Sequence, residues 1–334
     1  MSPRFPMHSF PSGWFRVGSS ADVSRGAVKP LRYFGKDLVV FRGEDGKAHV
    51  LDAHCPHMGA HLGYGGRIKG NTVACPLHGW QWNGDGRCEG IPYSDKIPAS
   101  ASIPTWTIKE VNGQIMLYHD AQGGQPAWDV PEMPEYRDSR WLPFRFAHRW
   151  KIRTHVQEFG ENGMDIGHFP YLHNQQTATV ESRGLEMSGP FLIHHLFQHY
   201  NVFGLIKRFT PEVSGPLDVY LYGLGFAVNR AVIQTKIQMR YAFAFFFTPI
   251  DEEYSEIYSM LTMEKTLGRT LTYLLVRKAI REGGVTIDQD VPIWENKLFR
   301  PQPKLCEGDG PIMTYRRWAA QFYPKEISCT PASL

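Results

Sequence analysis

The stretch from Cys55 to Trp82 reads CPHMGAHLGYGGRIKGNTVACPLHGWQW and contains two short segments of similar form, Cys55-Pro56-His57 and Cys75-Pro76-Leu77-His78. Each segment offers one thiolate and one imidazole, which are common protein ligands of zinc and iron. The flanking glycines are Gly59, Gly63, Gly65, Gly66 and Gly79. Loops of this composition let backbone amides approach a bound group closely. The four side chains therefore predict one metal centre held by two glycine-rich loops.

Two kinds of centre use two cysteines and two histidines. Zinc binds them tetrahedrally, at spacings of two to five residues. A Rieske [2Fe-2S] cluster instead holds one iron through two thiolates and the other through two imidazoles. A Cys2His2 zinc finger takes its cysteines from one hairpin and its histidines from one helix, whereas here each loop supplies one of each. This order of ligands favours the cluster over zinc. It also argues against the alternative that the four cysteines and histidines have no common role.

The first 120 residues are predicted to form a small all-β unit in which glycine turns separate short strands. The expected strands are Asp37–Arg42, His49–Ala53, Thr72–Cys75 and Gln114–Tyr118, and the expected turns are Glu44-Asp45-Gly46, Gly65-Gly66 and Gly84-Asp85-Gly86. A stretch rich in proline and glycine follows from Gly123 to Pro134. We interpret it as a linker or as an extended segment lying on a surface.

The remainder of the chain is predicted to be mixed α and β, with an antiparallel sheet. Helical composition extends from Thr154 to Phe169, and one alternating strand is expected from Arg230 to Phe247. Its two faces would carry Ile233, Thr235, Ile237, Met239, Tyr241, Phe243 and Phe245, and Gln234, Lys236, Gln238 and Arg240. A second helix is expected from Thr266 to Glu282, ending at Gly283-Gly284. Its apolar side would be Leu267, Leu271, Leu274, Leu275 and Ile280.

A second candidate metal site lies between Glu161 and His173, in the sequence ENGMDIGHFPYLH. Asp165 and His168 are three residues apart and would share a face of a helix. Pro170 disfavours a regular helix across the preceding residue, so a distorted helix end would bring His173 beside His168. Two histidines with one distant carboxylate form the facial triad of non-haem Fe(II) oxygenases.

The composition of the chain argues against several classes of protein. It has 334 residues, a net charge of +3, 42% hydrophobic and 21% charged residues, which indicates a folded protein of about two domains. The balanced charge gives no signal for nucleic acid. Prolines in MSPRFPMHSFPSGWFR argue against a secretory signal, and the longest strongly apolar run, Tyr241–Ile250, is too short to span a bilayer. We expect a cytoplasmic protein without a membrane span.

An odd number of cysteines, five, argues against a disulfide framework. Cys88, Cys306 and Cys329 lack a partner at ligand spacing, so we expect them to be plain thiols.

Taken together, the two constellations resemble those of the Rieske non-haem iron oxygenases. Cys55, His57, Cys75 and His78 match the cluster ligands of that family. The family's catalytic motif has the form Asp-x2-His-x4-His, so the resemblance makes Asp165 the bridging carboxylate and His168 and His173 iron ligands. The third ligand would come from VTIDQDVPIWENK, where a pattern resembling Gln-Asp-x3-Trp selects Asp290. Asp288 stays an alternative, with a helix cap as its plain explanation. Pro292 is unusual within a helix and leaves the local geometry around Asp290 open.

The resemblance implies an α+β fold. An N-terminal all-β Rieske [2Fe-2S] domain would span residues 1–122. A catalytic domain with mononuclear non-haem iron would span residues 123–334 and be helix-grip-like, with an antiparallel sheet flanked by helices. The implied cofactors are the [2Fe-2S] Rieske cluster and mononuclear Fe(II), with O2 as co-substrate.

No reductase module is visible, because the chain has neither a GxGxxG after a strand nor a second cluster motif. The resemblance therefore implies a separate flavin and iron–sulfur reductase, or a ferredoxin plus reductase, with NAD(P)H acting only through it. It also implies a head-to-tail homotrimer, in which Asp165 faces a cluster histidine of the neighbouring subunit, best assigned as His78.

The substrate class follows from finer similarities. Met58 stands where ring-hydroxylating dioxygenases commonly have arginine. The segments QDVPIWENK and DGPIMTYRRWAAQFY resemble the ends of 3-ketosteroid 9α-hydroxylase oxygenase components and cholesterol 7-desaturases. The resemblance implies monooxygenation of a hydrophobic, steroid-like substrate. Sterol desaturation and oxygenation of another apolar compound stay alternatives.

Asn162 and Met164 lie near the expected iron ligands and are candidates for contact with the substrate. A set of aromatic residues could line an apolar pocket, although core packing explains strand aromatics more often. The set comprises Phe191, Phe197, Tyr200, Phe203, Tyr220, Tyr222, Phe226, Tyr241, Phe243 and Phe245.

Two other functional classes compete, a pure electron carrier and a zinc-dependent binding module. A pure electron carrier would have no need for Asp165, His168, His173 and Asp290 at the spacing of a catalytic iron site. Iron content separates the three classes, at about three irons per chain for the oxygenase, two for the carrier and none for the zinc module.

Overall fold

A computed structural model describes residues 4–7, 10–173, 177–200, 213–234 and 237–324, with the backbone alone at residues 177 and 178. Phe203, Thr235, Lys236 and Cys329 lie outside this range. The described chain has four antiparallel sheets and few helices, which confirms the α+β fold. No helix in these ranges is both long and apolar enough to cross a membrane.

Three small sheets make up the N-terminal part. Their strands are β1 (Gly13–Ser19), β2 (Val28–Tyr33), β3 (Lys36–Arg42), β4 (Ala48–Asp52), β5 (Arg67–Lys69), β6 (Thr72–Ala74), β7 (Gln81–Trp82), β8 (Cys88–Gly90), β9 (Thr105–Trp106), β10 (Ile108–Val111) and β11 (Gln114–His119). The strand orders are β1-β11-β10, β2-β3-β4-β9 and β5-β6-β7-β8. The four strands expected from the sequence are confirmed, with ends that differ by one residue.

One seven-stranded sheet dominates the C-terminal part. Its strands are β12 (Arg145–Ile152), β13 (Thr177–Ser188), β14 (Phe191–Tyr200), β15 (Val213–Tyr222), β16 (Phe226–Gln234), β17 (Gln238–Pro249) and β18 (Ser255–Met263), in the order β12-β18-β17-β16-β15-β14-β13. The helices are α1 (Pro134–Arg137), α2 (Val156–Asn162), α3 (His168–Leu172), α4 (Arg269–Asn296) and α5 (Ile312–Ala319). Short 3-10 turns span Ser20–Asp22, Glu307–Asp309 and Ala320–Phe322.

The two faces of the large sheet pack against different partners. We call the face under α2 and α4 the inner face; Leu217, Phe243 and Leu261 lie on it. The outer face carries Phe226 and Phe246 and packs against the three-stranded sheet of β1, β10 and β11. The stretch from Gly123 to Pro134 is extended along this outer face, where Val130 and Met133 are buried. The domain boundary between residues 122 and 123 stays a prediction.

The single strand expected from Arg230 to Phe247 is wrong, because β16 and β17 form an antiparallel hairpin there. Gln234 pairs with Gln238 and Ile233 with Met239, so even residues pair with even residues and odd residues with odd residues across the hairpin. The alternation of apolar and polar residues therefore continues in phase through the turn. With no glycine or proline at the turn, nothing in the sequence marks the reversal.

The expected helix end at Gly283-Gly284 is also wrong, because α4 continues to Asn296. A Cβ atom on Gly283 would lie 2.6 Å from the Phe243 ring, and one on Gly284 would lie 2.5 Å from the His148 ring. These glycines let the helix approach the sheet closely. The leucine side was misassigned as well, since Leu271 and Leu274 are exposed. The buried residues of α4 are Thr272, Val276, Gly284, Asp290 and Trp294.

A buried charge cluster joins the N-terminal sheets to the large sheet. Glu256 on β18 accepts hydrogen bonds from Tyr33 on β2 at 3.2 Å and from Arg149 on β12 at 2.8 Å. Arg16 on β1 lies 3.4 Å from the same carboxylate. Because an unpaired charge is costly in the interior, these partners fix the two parts of the chain in one arrangement.

Candidate metal centres

The two cysteine-bearing loops have matching backbone geometry. In each, the glycine four residues after the cysteine donates its N–H to the cysteine carbonyl, Gly59 to Cys55 at 2.8 Å and Gly79 to Cys75 at 2.9 Å. Both glycines have positive φ, 78° and 75°, which residues with a Cβ rarely adopt. The glycine spacing in the sequence therefore shapes both loops alike.

The four predicted cluster ligands come together as two pairs. Cys55 and Cys75 are buried and their thiols contact each other. His57 and His78 lie at the surface end of the same loops, with ring centroids 4.7 Å apart. The His57 ring also stacks on Trp80, at 4.6 Å and an interplanar angle of 9°.

This separation into pairs fits a two-iron cluster better than a single zinc ion. Four zinc ligands at 2.0–2.3 Å from one ion would all lie close together. In the part of the chain that the structure describes, no three of these four side chains have all their ligand atoms within 4.8 Å of one another. A cluster that takes the thiolates on one iron and the imidazoles on the other needs two pairs.

Two further observations suit a bound cluster at this position. Burial raises the pKa of the Cys55 thiol to about 11, so the charged thiolate needs a nearby cation such as iron. The Nδ1 atom of His78 is buried and has no hydrogen-bond partner in the described part of the chain. A metal bond would satisfy it.

The second predicted site also comes together. The ligand atoms of His168, His173 and Asp290 lie within 4.8 Å of one another. His168 begins α3, His173 follows the end of that helix, and Asp290 is on α4. His173 and Asp290 are buried, with Nε2 and Oδ1 3.3 Å apart. Two imidazoles and one carboxylate from two helices could hold one Fe(II) and leave positions open.

Both imidazoles are oriented by a bond on the far side of the ring. His168 Nδ1 lies 2.6 Å from the Asp165 carbonyl oxygen, and His173 Nδ1 lies 2.8 Å from Gln289 Oε1. Such bonds fix the tautomer and present Nε2 to a metal. Burial is the largest single influence on the pKa of His173 and lowers it, but the hydrogen bond and charge of Asp290 and the hydrogen bond to Gln289 together raise that pKa overall. The carboxylate therefore favours a cation at this position.

Asp165 contacts His168 through two different groups. Its carboxylate accepts the backbone N–H of His168 at 3.3 Å, while the imidazole is bonded to the carbonyl. Burial raises the pKa of Asp165, but the interactions with His168 outweigh it and leave that pKa lowered. The carboxylate is thus anionic, and 38% of the side chain remains exposed.

The structure brings Asp290, and not Asp288, to the histidines. Asp288 is exposed and accepts a hydrogen bond from Trp150 Nε1 at 2.8 Å. It lies well inside α4, so it is not a helix cap either.

Asn162 and Met164 have different surroundings. Asn162 Nδ2 lies 3.3 Å from His168 Nε2 and 3.5 Å from Asp290 Oδ2, beside the metal-facing atoms. Met164 has no exposed surface and packs in the core. The structure therefore does not support its expected contact with a substrate.

The sequence reasoning missed two supporting residues, Gln289 and His194. His194 is fully buried on the inner face, with Nδ1 3.1 Å from the Gly163 carbonyl oxygen and Nε2 2.8 Å from Ser182 Oγ. The position of Gln289 beside Asp290 was a usable signal. His194 had none, because a strand histidine 20 or more residues from the motif shows no relation to it in the sequence.

The aromatic set divides between the two faces of the sheet. Tyr241, Phe243 and Phe245 share the inner face with Tyr200. The others that the structure describes point to the outer face, where Phe226, Tyr220 and Tyr222 pack toward the N-terminal sheets. Phe191 and Phe197 alternate with inner residues of β14 and share that outer face.

Comparisons with known proteins agree with this geometry. A family model described as "3-Ketosteroid 9alpha-hydroxylase C-terminal domain" matches residues 117–323, and one described as "Rieske [2Fe-2S] domain" matches residues 13–107. Cholesterol 7-desaturase nvd 1 of Ciona intestinalis is 32% identical over 94% of this chain and 69% of its own length. The 3-ketosteroid-9-alpha-monooxygenase oxygenase component of Rhodococcus rhodochrous is 31% identical over 96% of this chain and 86% of its own length.

Solved structures with the same fold include apo dicamba monooxygenase and Pseudomonas putida CBB5 NdmA. The first has a TM-score of 0.72 at 14% identity and covers 94% of this chain and 97% of its own. The second has a TM-score of 0.69 at 17% identity and covers 92% and 88%.

Proposed function

This chain belongs to the Rieske oxygenases with a 3-ketosteroid 9α-hydroxylase C-terminal domain, and from that premise we propose that it hydroxylates a flat, apolar, steroid-like substrate. It is the oxygenase component of a Rieske-type monooxygenase. Its cofactors are a [2Fe-2S] cluster and mononuclear iron, with O2 as co-substrate. When held by the residues of the two candidate metal centres, the cluster and the iron would provide single electrons and the activation of dioxygen for attack on a C–H bond.

One observation carries the proposal, the convergence of His168, His173 and Asp290 beside the inner face of the sheet. We assign these three side chains as the iron ligands. Asp165 and Gln289 orient the two imidazoles through their outer nitrogens, and Asn162 contacts both His168 and Asp290. We assign Cys55, His57, Cys75 and His78 as the cluster ligands.

The inner face of the sheet supports an apolar substrate. Between β14 and β16 its side chains are mostly aliphatic, including Leu196, Leu217, Val219 and Ala231. Among the described residues, the polar side chains of this region include His194, Gln198 and Tyr200 on β14, and Asn229, which lies between Val219 and Phe243. A surface of this kind binds fused hydrocarbon rings through the hydrophobic effect and leaves few groups to orient them.

We further propose a head-to-tail homotrimer. Large apolar side chains are exposed beside the cluster loops, at Met58, Tyr64, Leu77 and Tyr93, and Tyr171 is exposed on α3. Exposed apolar patches of this kind favour contact between chains. A contact between two different patches of identical subunits closes into a ring when the rotation allows. His78 of one subunit would then face the partly exposed Asp165 carboxylate of the next.

The electrons come from a separate reductase. A flavin and iron–sulfur protein, or a ferredoxin with its reductase, would pass them to the cluster, and NAD(P)H would act only through that protein. We place the system in the cytoplasm, where such reductases have access to reduced nicotinamide cofactors.

Product analysis by mass spectrometry tests the proposal. The iron-loaded protein is supplied with a surrogate reductase, NADH, O2 and a panel of 3-ketosteroids and sterols. Gain of one oxygen by a ketosteroid is the expected result. Loss of two hydrogens from a sterol would instead favour desaturation, as in the relative from Ciona intestinalis. Absence of any steroid product despite full iron loading would contradict the substrate class.

Matched variants tie the product to the assigned site. Asp290→Ala is expected to lower the iron content from about three to about two per chain and to abolish product. Asp288→Ala, on the same helix but bonded to Trp150, is expected to retain both iron and product.

A further inference from the structure

Two tyrosine hydroxyls on the inner face have no part in the sites described above. Tyr200 ends β14 and Tyr241 lies near the start of β17, and their hydroxyl oxygens are 3.4 Å apart. Within the described ranges, each hydroxyl has the other as its hydrogen-bond partner. Burial raises the pKa of both tyrosines, so both remain neutral O–H groups that can donate and accept.

The strand register places this pair on the same inner face that contacts the loop leading to the candidate iron ligands. A row of paired residues crosses the inner face from His194 on β14 to Phe243 on β17. His194 contacts the Gly163 carbonyl in the loop that leads to the iron-binding histidines. Tyr241 is two residues from Phe243 on the same face, which is about 7 Å along the strand.

The surroundings of the pair are apolar. In the row of Tyr241 the paired residues are Leu196, Leu217 and Ala231, all buried. Tyr200 and Tyr241 themselves are only half-buried, so each keeps some exposed surface beside these aliphatic residues. Two hydroxyls that share one hydrogen bond keep a second proton for another acceptor. Placing such groups in apolar surroundings is costly unless a ligand completes their bonding.

We propose that the hydroxyls of Tyr200 and Tyr241 bind an oxygen substituent of the substrate and so determine specificity. This inference rests on the proposed function and adds that the apolar substrate carries a keto or hydroxyl group at the end that lies away from the reacting carbon. A keto oxygen accepts the available hydroxyl proton, and a hydroxyl can both donate and accept. The pair thereby selects an oxygenated ring system over a plain hydrocarbon and directs its other end to the iron ligands.

Binding and turnover of three related steroids test the inference. The probes are androst-4-ene-3,17-dione, androst-4-en-3-one without the 17-oxygen, and androst-4-en-17-one without the 3-oxygen. Calorimetry gives the Kd of each for iron-loaded wild type, Tyr200→Phe and Tyr241→Phe, and mass spectrometry gives the products. We expect each variant to bind the dione about five- to tenfold more weakly. The same loss of affinity is expected for the monoketone that retains the recognised oxygen. The monoketone that lacks this oxygen should bind the variants and the wild type with the same Kd.

Tyr222→Phe is the matched control, because it removes a tyrosine hydroxyl from the outer face of the same sheet. It is expected to bind all three ketones as the wild type does. Equal losses for all three ketones in Tyr200→Phe or Tyr241→Phe would mean a structural role and overturn the inference, as would no loss at all. In both cases hydroxylation by the wild type would leave the proposed function standing. Failure of the iron-loaded wild type to bind or convert any ketone would overturn the steroid substrate and this inference together.

Discussion

Asp165 presents two different groups for the two roles that we propose. Its backbone carbonyl holds the imidazole of His168, and its carboxylate, which accepts the backbone N–H of His168, stays partly exposed for the proposed contact with a neighbouring subunit. A substitution of the side chain leaves the carbonyl in place. The orientation of an iron ligand and the contact between subunits can therefore be separated by mutation.

We predict that Asp165→Ala retains the cluster and the mononuclear iron but loses at least about a hundredfold in turnover. The retained carbonyl still orients His168, whereas the carboxylate that would face the partner's cluster is gone. Iron analysis and product formation with a reductase measure the two effects. Asp288→Ala serves as the control, because it removes an exposed carboxylate from α4. Product formation by Asp165→Ala comparable to that of the wild type would contradict the bridging role.

Gln289 should control iron affinity. Its Oε1 accepts the Nδ1 proton of His173, and loss of such an outer bond commonly costs ten- to a hundredfold in metal affinity. We predict that Gln289→Leu loses iron faster than the wild type during dialysis against a chelator. Gln289→Glu restores the acceptor and should recover most of the retention. Identical iron loss from the wild type and Gln289→Leu would exclude the role.

The sequence selected candidate metal ligands that the structure brings together, but it did not indicate the residues that support them. Ligands must be particular residue types at close spacing, so Cys55, His57, His168 and His173 stand out in the sequence. The choice of Asp290 over Asp288 depended on a resemblance, because both carboxylates lie in the same short segment. Supports such as His194 act through space from a distant strand and leave no local pattern.

At the scale of elements, packing overrode the local signals. A glycine pair commonly marks the end of a helix, yet α4 continues through Gly283-Gly284 because the bare backbone fits against Phe243 and His148. The hairpin of β16 and β17 stayed hidden because its turn preserves the alternation of the strands. Neither the packing of α4 nor the hairpin could be predicted from the sequence, because both depend on which elements lie beside one another in the fold.

Alanine at these glycines should therefore destabilise the protein, although alanine favours helices by about 1 kcal/mol over glycine. The added Cβ of Gly284→Ala would meet the His148 ring at 2.5 Å and displace α4, which carries Asp290. We predict a net loss of about 1–3 kcal/mol in the free energy of unfolding and weaker iron binding. Denaturant unfolding and iron analysis measure both. Arg277→Ala, exposed on the same helix, should change stability by less than about 0.5 kcal/mol. A more stable Gly284→Ala would refute this packing argument.

The start of α2 should make stability depend on pH. His155 is the N-cap of this helix, where its Nδ1 accepts the N–H of Gln157 at 3.2 Å, and burial lowers its pKa to about 4. Between that value and the ordinary 6.5 the unfolded chain binds a proton that the folded chain does not. Stability is therefore complete above about pH 6.5 and falls as the pH drops toward 4.

We predict that this group costs the wild type about 2 kcal/mol between pH 7 and pH 5. His155→Asn keeps a capping acceptor but cannot take up a proton, so its unfolding free energy should decline less over the same interval. Urea unfolding at a series of pH values gives both slopes. Equal slopes for the two proteins would show that His155 is not the group responsible.

At the scale of the whole molecule, the two centres occupy separate parts of one fixed chain. Glu256 and its partners Arg16 and Tyr33 hold the N-terminal sheets on the large sheet. His78 is half-buried on its loop, and the Asp165 carboxylate remains partly exposed. Two side chains that both reach the surface of a fixed frame are available for the proposed contact between identical subunits.

We predict that two inactive variants restore each other's activity when mixed within one oligomer. Asp165→Ala subunits retain the cluster ligand His78, and His78→Ala subunits retain Asp165. At an interface where an Asp165→Ala subunit supplies the cluster side and a His78→Ala subunit supplies the iron side, His78 of the one and Asp165 of the other form an intact pair. Random mixing in equal amounts makes about one interface in four intact, so co-expressed variants should show about a quarter of the wild-type turnover.

The mass of the oligomer and two mixing controls decide what this experiment means. Size-exclusion chromatography with light scattering should give three chains per particle for each variant and for the mixture. Mixing the two variants after separate assembly, without exchange of subunits, should restore nothing. A trimeric co-expressed mixture that stays inactive would place electron transfer within one subunit, and a monomeric wild type with full activity would do the same. Recovery only in the co-assembled trimer requires His78 and Asp165 to act from different chains, because neither chain contains both.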